Sequence, residues 1–120
     1  MSVKKPTLAT RVALRKQHIK TQRGKCIYCL GPVKETRRKR TDLSATLEHI
    51  HPRCYGGKNS LENTAVAHHI CNFVRGNNRL TFKQALNVIR MKRLDGIKAV
   101  YKNYEPVIYL GVLNVLYCRS

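Results

Sequence analysis

The sequence predicts a small α+β domain, and three observations predict it. At 120 residues the chain suits one hydrophobic core. Short apolar runs of β character alternate with stretches of helical spacing. Two ligand pairs, Cys26 with Cys29 and His68 with Cys71, each stand two residues apart. Residues so spaced can grip one ion from a single turn, and four soft or borderline donors suit a tetrahedral structural zinc.

Composition narrows the function. The chain is 42% hydrophobic and 25% charged, as soluble globular proteins are, but 24 Lys and Arg face 6 Asp and Glu, a formal charge of +18. Such an excess repels itself in a compact state unless a polyanion offsets it, so nucleic acid is the first expected partner and an anionic membrane surface the second. The opening Met1-Ser-Val-Lys-Lys-Pro6 lacks the apolar core of a signal peptide, and no run reaches the ~20 apolar residues of a membrane span. The expectation is a soluble, cytoplasmic protein with no membrane attachment. In a reducing compartment five cysteines argue for metal rather than disulfides.

The elements follow in order. Residues 1–23 hold a basic helix from Thr7 to Arg23, capped by Thr7 behind Pro6, with Leu8, Val12 and Ile19 near helical spacing and Arg11, Arg15, Lys16 and Lys20 on its other faces. Residues 24–78 form the metal-stapled centre. There Cys26 to Val33 reads as a short strand turning through a knuckle at Gly31-Pro32. Lys34 to Arg40, with Arg37, Arg38, Lys39 and Arg40, is too polar to pack and is expected to meet a phosphate backbone. Ala45 to Ile50 alternates as a strand does, Pro52 to Asn59 is a loop around Gly56-Gly57, and Asn63 to Asn77 is helix-compatible. Residues 79–120 complete the same domain: a helix opened by the capping box of Thr81 and Gln84 buries Phe82, Ala85, Leu86, Ile89 and the stem of Arg93, and a helical segment follows Gly96. Val107 to Tyr117 is an apolar, β-rich tail that offers a surface for a second copy.

Spacing leaves a rival second ligand pair, His51 with Cys54. The rival lies in a loop beside Pro52, whereas His68 and Cys71 open a helix, where partial positive charge favours a thiolate, so His68 and Cys71 are preferred. His69 stands too near Cys71 to serve as well. Cys54 and Cys118 are then left over as buried or partly buried thiols. Tyr28, Tyr55 and Phe73 read as packing residues.

Glu48 and His49 stand side by side. The run Leu47-Glu-His-Ile-His-Pro-Arg-Cys-Tyr-Gly-Gly57, then Asn63, then His68-x-x-Cys71-Asn72-x-x-Arg75-Gly76 resembles the ββα-metal motif of HNH endonucleases, with the zinc knuckles many members carry. The resemblance covers about Gly24 to Asn77 and implies a treble-clef, ββα-metal fold with flanking helices. It implies that Glu48 and Asn72 hold one Mg²⁺ or Mn²⁺, that His49 is the general base, and that Asn63 shapes the loop and orients that base. Arg75 would join the basic run in binding DNA, with RNA as the other substrate. Water activated by His49 would attack phosphorus and leave a 5′ phosphate, one strand per site. Three positions depart from the usual pattern: Glu48 replaces Asp, His68 replaces a zinc-binding Cys, and Arg75 replaces Lys. A free-standing nuclease of this size suits a phage or mobile element. A zinc-stabilised nucleic-acid binder with a decayed site, or an adaptor that grips a host protein through the tail, are the alternatives.

Overall fold

A computed structural model describes residues 2–35, 39–92 and 100. The first helix, α1, spans Leu8–Thr21, and the Thr7 hydroxyl caps it by accepting from the Thr10 N–H at 3.2 Å. Its inward residue is His18, with Gln22 just beyond the last turn also buried, whereas Leu8, expected inside, is 67% exposed. Polar pairing decides this. His18 Nε2 meets Thr64 Oγ1 at 2.8 Å, and the Gln22 amide accepts from the Val66 N–H and donates to the Val66 carbonyl, each at 2.9 Å. Gln22 thus satisfies sheet-edge backbone as a neighbouring strand would. The helix stops where the Gly24 N–H, at φ +70°, reaches back to the Ile19 carbonyl at 2.8 Å.

The segment expected as a strand from Cys26 to Val33 is instead a tight turn with one bridge, Lys25 to Pro32. The Leu30 N–H returns to the Cys26 carbonyl at 2.9 Å and the Cys26 N–H bonds the Gly31 carbonyl at 2.8 Å. A loop this short closes on itself and leaves no residues to pair as a ladder.

Two antiparallel strands follow, β1 (Ala45–His49) and β2 (Thr64–His68), with Glu48 opposite Ala65 and His49 opposite Thr64. The helix-compatible reading of Asn63 onward is corrected here: Thr64-Ala-Val-Ala-His68 is a strand with all five residues buried. A five-residue apolar run carries no period that separates strand from helix. Both α1 and α2 pack against β2, and successive residues of the strand are buried on both of its faces. Helix α2 (His69–Arg75) starts directly at the end of β2. Its first donors bond backward: the His69 N–H to the Ser44 carbonyl at 2.8 Å and the Ile70 N–H to the Asp42 carbonyl at 3.0 Å. The order β1, β2, α2 is the ββα unit.

Helix α3 (Phe82–Lys92) opens with the expected capping box: the Thr81 N–H donates to Gln84 Oε1 at 2.9 Å and the Gln84 N–H to Thr81 Oγ1 at 3.1 Å. Its buried face is Ala85, Val88 and Ile89 with Asn87, while Phe82, expected inside, is 47% exposed. The Asn87 amide donates to the Tyr28 carbonyl at 2.6 Å, which rotates the helix to fasten it to the knuckle. Cys26, Ile27, Tyr28, Ile50, Ala65, Ala67 and Leu80 complete the core. Arg37, Arg38, Arg93, the segment after Gly96 apart from the buried Val100, and the tail from Val107, Cys118 included, lie outside the described residues. No helix among those described is long and apolar enough to cross a membrane.

Candidate functional site

The knuckle turn carries Cys26 and Cys29, the end of β2 carries His68, and the first turn of α2 carries Cys71. Their ligand atoms all lie within 4.8 Å of one another. His68 Nδ1 stands 3.2 Å from Cys29 Sγ and 3.7 Å from Cys71 Sγ. Its Nε2 lies 2.6 Å from the Pro32 carbonyl, which can only accept, so the proton sits on Nε2 and the Nδ1 lone pair faces the sulfurs. Backbone N–H groups of Tyr28 and His68 point at Cys26 Sγ at 3.4 and 3.3 Å, and that of Gly31 at Cys29 Sγ at 3.4 Å. Burial opposes ionisation of Cys29, but the Gly31 N–H and the neighbouring ligand groups outweigh it and hold that thiol below its ordinary range. Burial and the sulfurs of Cys26 and Cys29 push Cys71 up to about 12. Three thiolates in this space therefore need a cation among them, and the cluster can hold a metal ion such as zinc. The rival pair is not part of it: His51 Nε2 meets the Tyr55 carbonyl at 3.0 Å, and Cys54, expected to be sheltered, is exposed.

Glu48 sits at the buried side of β1. Its Oε2 accepts from the Tyr28 hydroxyl at 2.9 Å and lies 3.5 Å from Arg75 Nη1, and its Oε1 accepts from the His49 N–H at 2.8 Å. Burial raises its pKa to about 7 against the pull of Arg75 and the hydrogen bonds. Arg75, expected at the substrate surface, is 3% exposed. Its donors go to the carbonyls of His49, Ile50 and Asn78 at 2.9, 2.8 and 2.7 Å, besides Tyr28 and Glu48. A guanidinium so occupied braces the loop from inside and cannot reach a phosphate.

The neighbouring His49 points the other way. Its Nε2 meets Asn59 Oδ1 at 2.8 Å. Burial, helped by the charge of Arg53, holds its pKa below the ordinary value despite the Asn59 bond, so the ring is neutral near pH 7. Asn63 does not touch that ring. Its Oδ1 accepts from the His51 N–H at 2.8 Å and its Nδ2 donates to the carbonyls of His51 and Lys58 at 3.0 and 2.8 Å, which clamps the loop between the strands. Asn72, in the middle of α2, donates through Nδ2 to Thr46 Oγ1 and to the Leu47 carbonyl, both at 3.3 Å, so the atom it turns outward is the amide oxygen.

Glu48, His49 and Asn72 line one cleft. His49 and Asn72 also line a wider one of roughly 990 Å³, whose walls carry Lys5, Arg11, Arg15, Lys16, Arg40 and Arg53 against the single acid Glu35. Lys39 is exposed outside it. Phe73, expected to pack, is 75% exposed at the cleft edge, and Tyr55 is 64% exposed. Sequence reasoning missed Tyr28 and Asn59, the side chains that hold Glu48 and His49. Tyr28 stands between the two knuckle cysteines, a place that reads as metal scaffold, and Asn59 stands in a glycine loop where asparagine is ordinary turn chemistry.

No curated protein and no solved structure matches the chain. From the first cysteine of the knuckle to the turn after α2, residues 26–78 match the family model of the HNH endonuclease.

Proposed function

We propose that the chain is a metal-dependent DNA endonuclease that hydrolyses phosphodiester bonds, folded around a structural zinc on Cys26, Cys29, His68 and Cys71. The observation that carries this reading is His49: a neutral imidazole that lines both the cleft it shares with Glu48 and Asn72 and the wider cleft walled by six cations. A general base must hold a free lone pair at working pH, and the burial that keeps His49 neutral provides it. Glu48 and Asn72 offer hard oxygens in the adjoining cleft that they line with His49, a donor set that fits Mg²⁺ or Mn²⁺. When bound, such an ion supplies Lewis-acid stabilisation of charge on the phosphate. His49 takes the proton of the attacking water, Asn63 keeps the loop in shape, and the cations of the cleft seat the backbone. One such site cuts one strand, so a single copy nicks.

Plasmid nicking tests this. Supercoiled DNA is incubated with metal-repurified protein and Mg²⁺, Mn²⁺ or EDTA. The expected result is nicking with the divalent ion alone, lost in His49→Ala while DNA binding persists. One observation favours a second reading, a zinc-stabilised binding module: the Glu48 carboxylate is drawn inward to Arg75 and Tyr28. Under that reading both proteins bind DNA and neither cuts with any ion.

A further inference from the structure

Asn59 lies in the loop between β1 and β2, half-buried, and bonds on both ends of its amide. Its Nδ2 lies 2.9 Å from the Lys4 carbonyl and its Oδ1 lies 2.8 Å from His49 Nε2. A carbonyl oxygen only accepts, so the nitrogen of the amide must face Lys4 and the oxygen must face His49. An amide oxygen also only accepts, so the proton of the neutral His49 ring must lie on Nε2, and the lone pair falls on Nδ1. The segment before α1 is itself fixed: the Val3 N–H donates to the Arg53 carbonyl at 2.8 Å, and Pro6 is buried.

We infer that Asn59 is a positioning residue for His49: anchored by the Lys4 carbonyl, it sets the tautomer and angle of the imidazole and commits Nδ1 to accepting the proton of water. The inference rests on the reading of His49 as the base. It moves the orienting role from Asn63, whose side chain is spent on the His51 and Lys58 backbone, to a residue outside the motif. It also makes the segment around Lys4 part of the working site. The chain Lys4 C=O, Asn59 amide, His49 ring is continuous, and without its first link the amide is free to rotate and offer its nitrogen to the ring. A donor there would place the proton on Nδ1 and leave the base facing the wrong way.

The test uses the full chain with ¹⁵N-labelled histidine, zinc-loaded, at mildly alkaline pH. Two-bond ¹H–¹⁵N spectra assign the His49 ring by comparison with His49→Gln. The expected wild-type spectrum shows a protected Nε2–H proton, and Asn59→Ala loses it while zinc content and DNA affinity are unchanged. In the nicking assay Asn59→Ala lowers kcat about tenfold to a hundredfold with KM for DNA unaltered, because the amide orients the base and does not seat the substrate. A wild-type proton on Nδ1 overturns the inference, as does a variant that keeps the protected Nε2–H and full kcat. The wild-type spectrum decides even where the variant fails to fold. If the wild type does not nick at all, the nuclease reading fails, and the spectra still say whether Asn59 holds the ring.

Discussion

His18 and Glu48 show how burial acts on single side chains here: in each it disfavours the charged form, and the two differ in what opposes it. Glu48 keeps Arg75 and the Tyr28 hydroxyl close. His18 has no carboxylate to offset desolvation, and burial first, then the positive Lys92, lower its pKa from 6.5 to about 4. The unfolded chain takes up a proton on His18 as pH falls through 6.5, while the folded chain refuses it until about 4. The resulting stability is complete above 6.5 and is lost progressively between those two values, about 3 kcal/mol in all. His18→Gln keeps a neutral partner for Thr64 and does not titrate. Urea midpoints measured from neutral to acid pH should therefore fall more steeply for the wild type than for this variant, and equal slopes would remove the desolvation argument. Metal release at low pH affects both proteins alike, so the difference isolates His18.

The loop joining β1 to β2 shows what a sequence reveals about an element and what it hides. Gly56 and Gly57 announce a turn, and the two glycines are there for different reasons. Gly56 takes φ +94°, where other residues are strained by about 1 kcal/mol. Gly57 is needed for space: a Cβ on it would sit 1.7 Å from the His51 carbonyl oxygen and 2.9 Å from that of Pro52. Gly57→Ala must push the loop off the Asn63 clamp, so it should cost about 3 kcal/mol against about 1 for Gly56→Ala, read from thermal or urea unfolding. It should also depress nicking more than stability explains, since the same loop carries Asn59. Local signals of this kind made much of the fold readable: the Thr7 cap, the Thr81–Gln84 box, the strand at Ala45 and the two ligand pairs are each encoded within four or five residues. What escaped is non-local. Gln22 docking on Val66, Asn87 turning α3 and Arg75 reaching beneath His49 depend on partners 26 to 59 positions away. Polar residues that act as internal braces look in sequence like surface residues, which is why Arg75 read as a phosphate contact and Leu8 and Phe82 as core. The order of Glu48, His49, Asn63 and Asn72 was readable. The residues that aim them were not.

For the chain as a whole, +18 of formal charge has to be reconciled with a core of modest side chains, and the two problems share an answer. A metal held by the Cys26, Cys29, His68 and Cys71 cluster would stabilise the centre without apolar area, which leaves the outer faces to be basic. The distribution of that charge is the useful part. Arg11, Arg15 and Lys16 on α1 face the cleft above His49 and Asn72, while Lys20 on the same helix does not line it. If all six cleft cations meet phosphates, the logarithm of the binding constant falls against the logarithm of salt with a slope of about −5, each contact adding about −0.9. Replacing Arg15 and Lys16 together by alanine should flatten the slope by about 2 and weaken binding alike on unrelated duplex sequences. Lys20→Ala should leave the slope nearly unchanged, because a charge outside the cleft displaces few counterions. Fluorescence anisotropy over a salt series separates the two cases. Equal flattening by both variants would mean that the protein binds through diffuse charge rather than along this cleft. A flattening confined to Arg15 and Lys16 would place the phosphate backbone directly over His49, where a base for hydrolysis has to be.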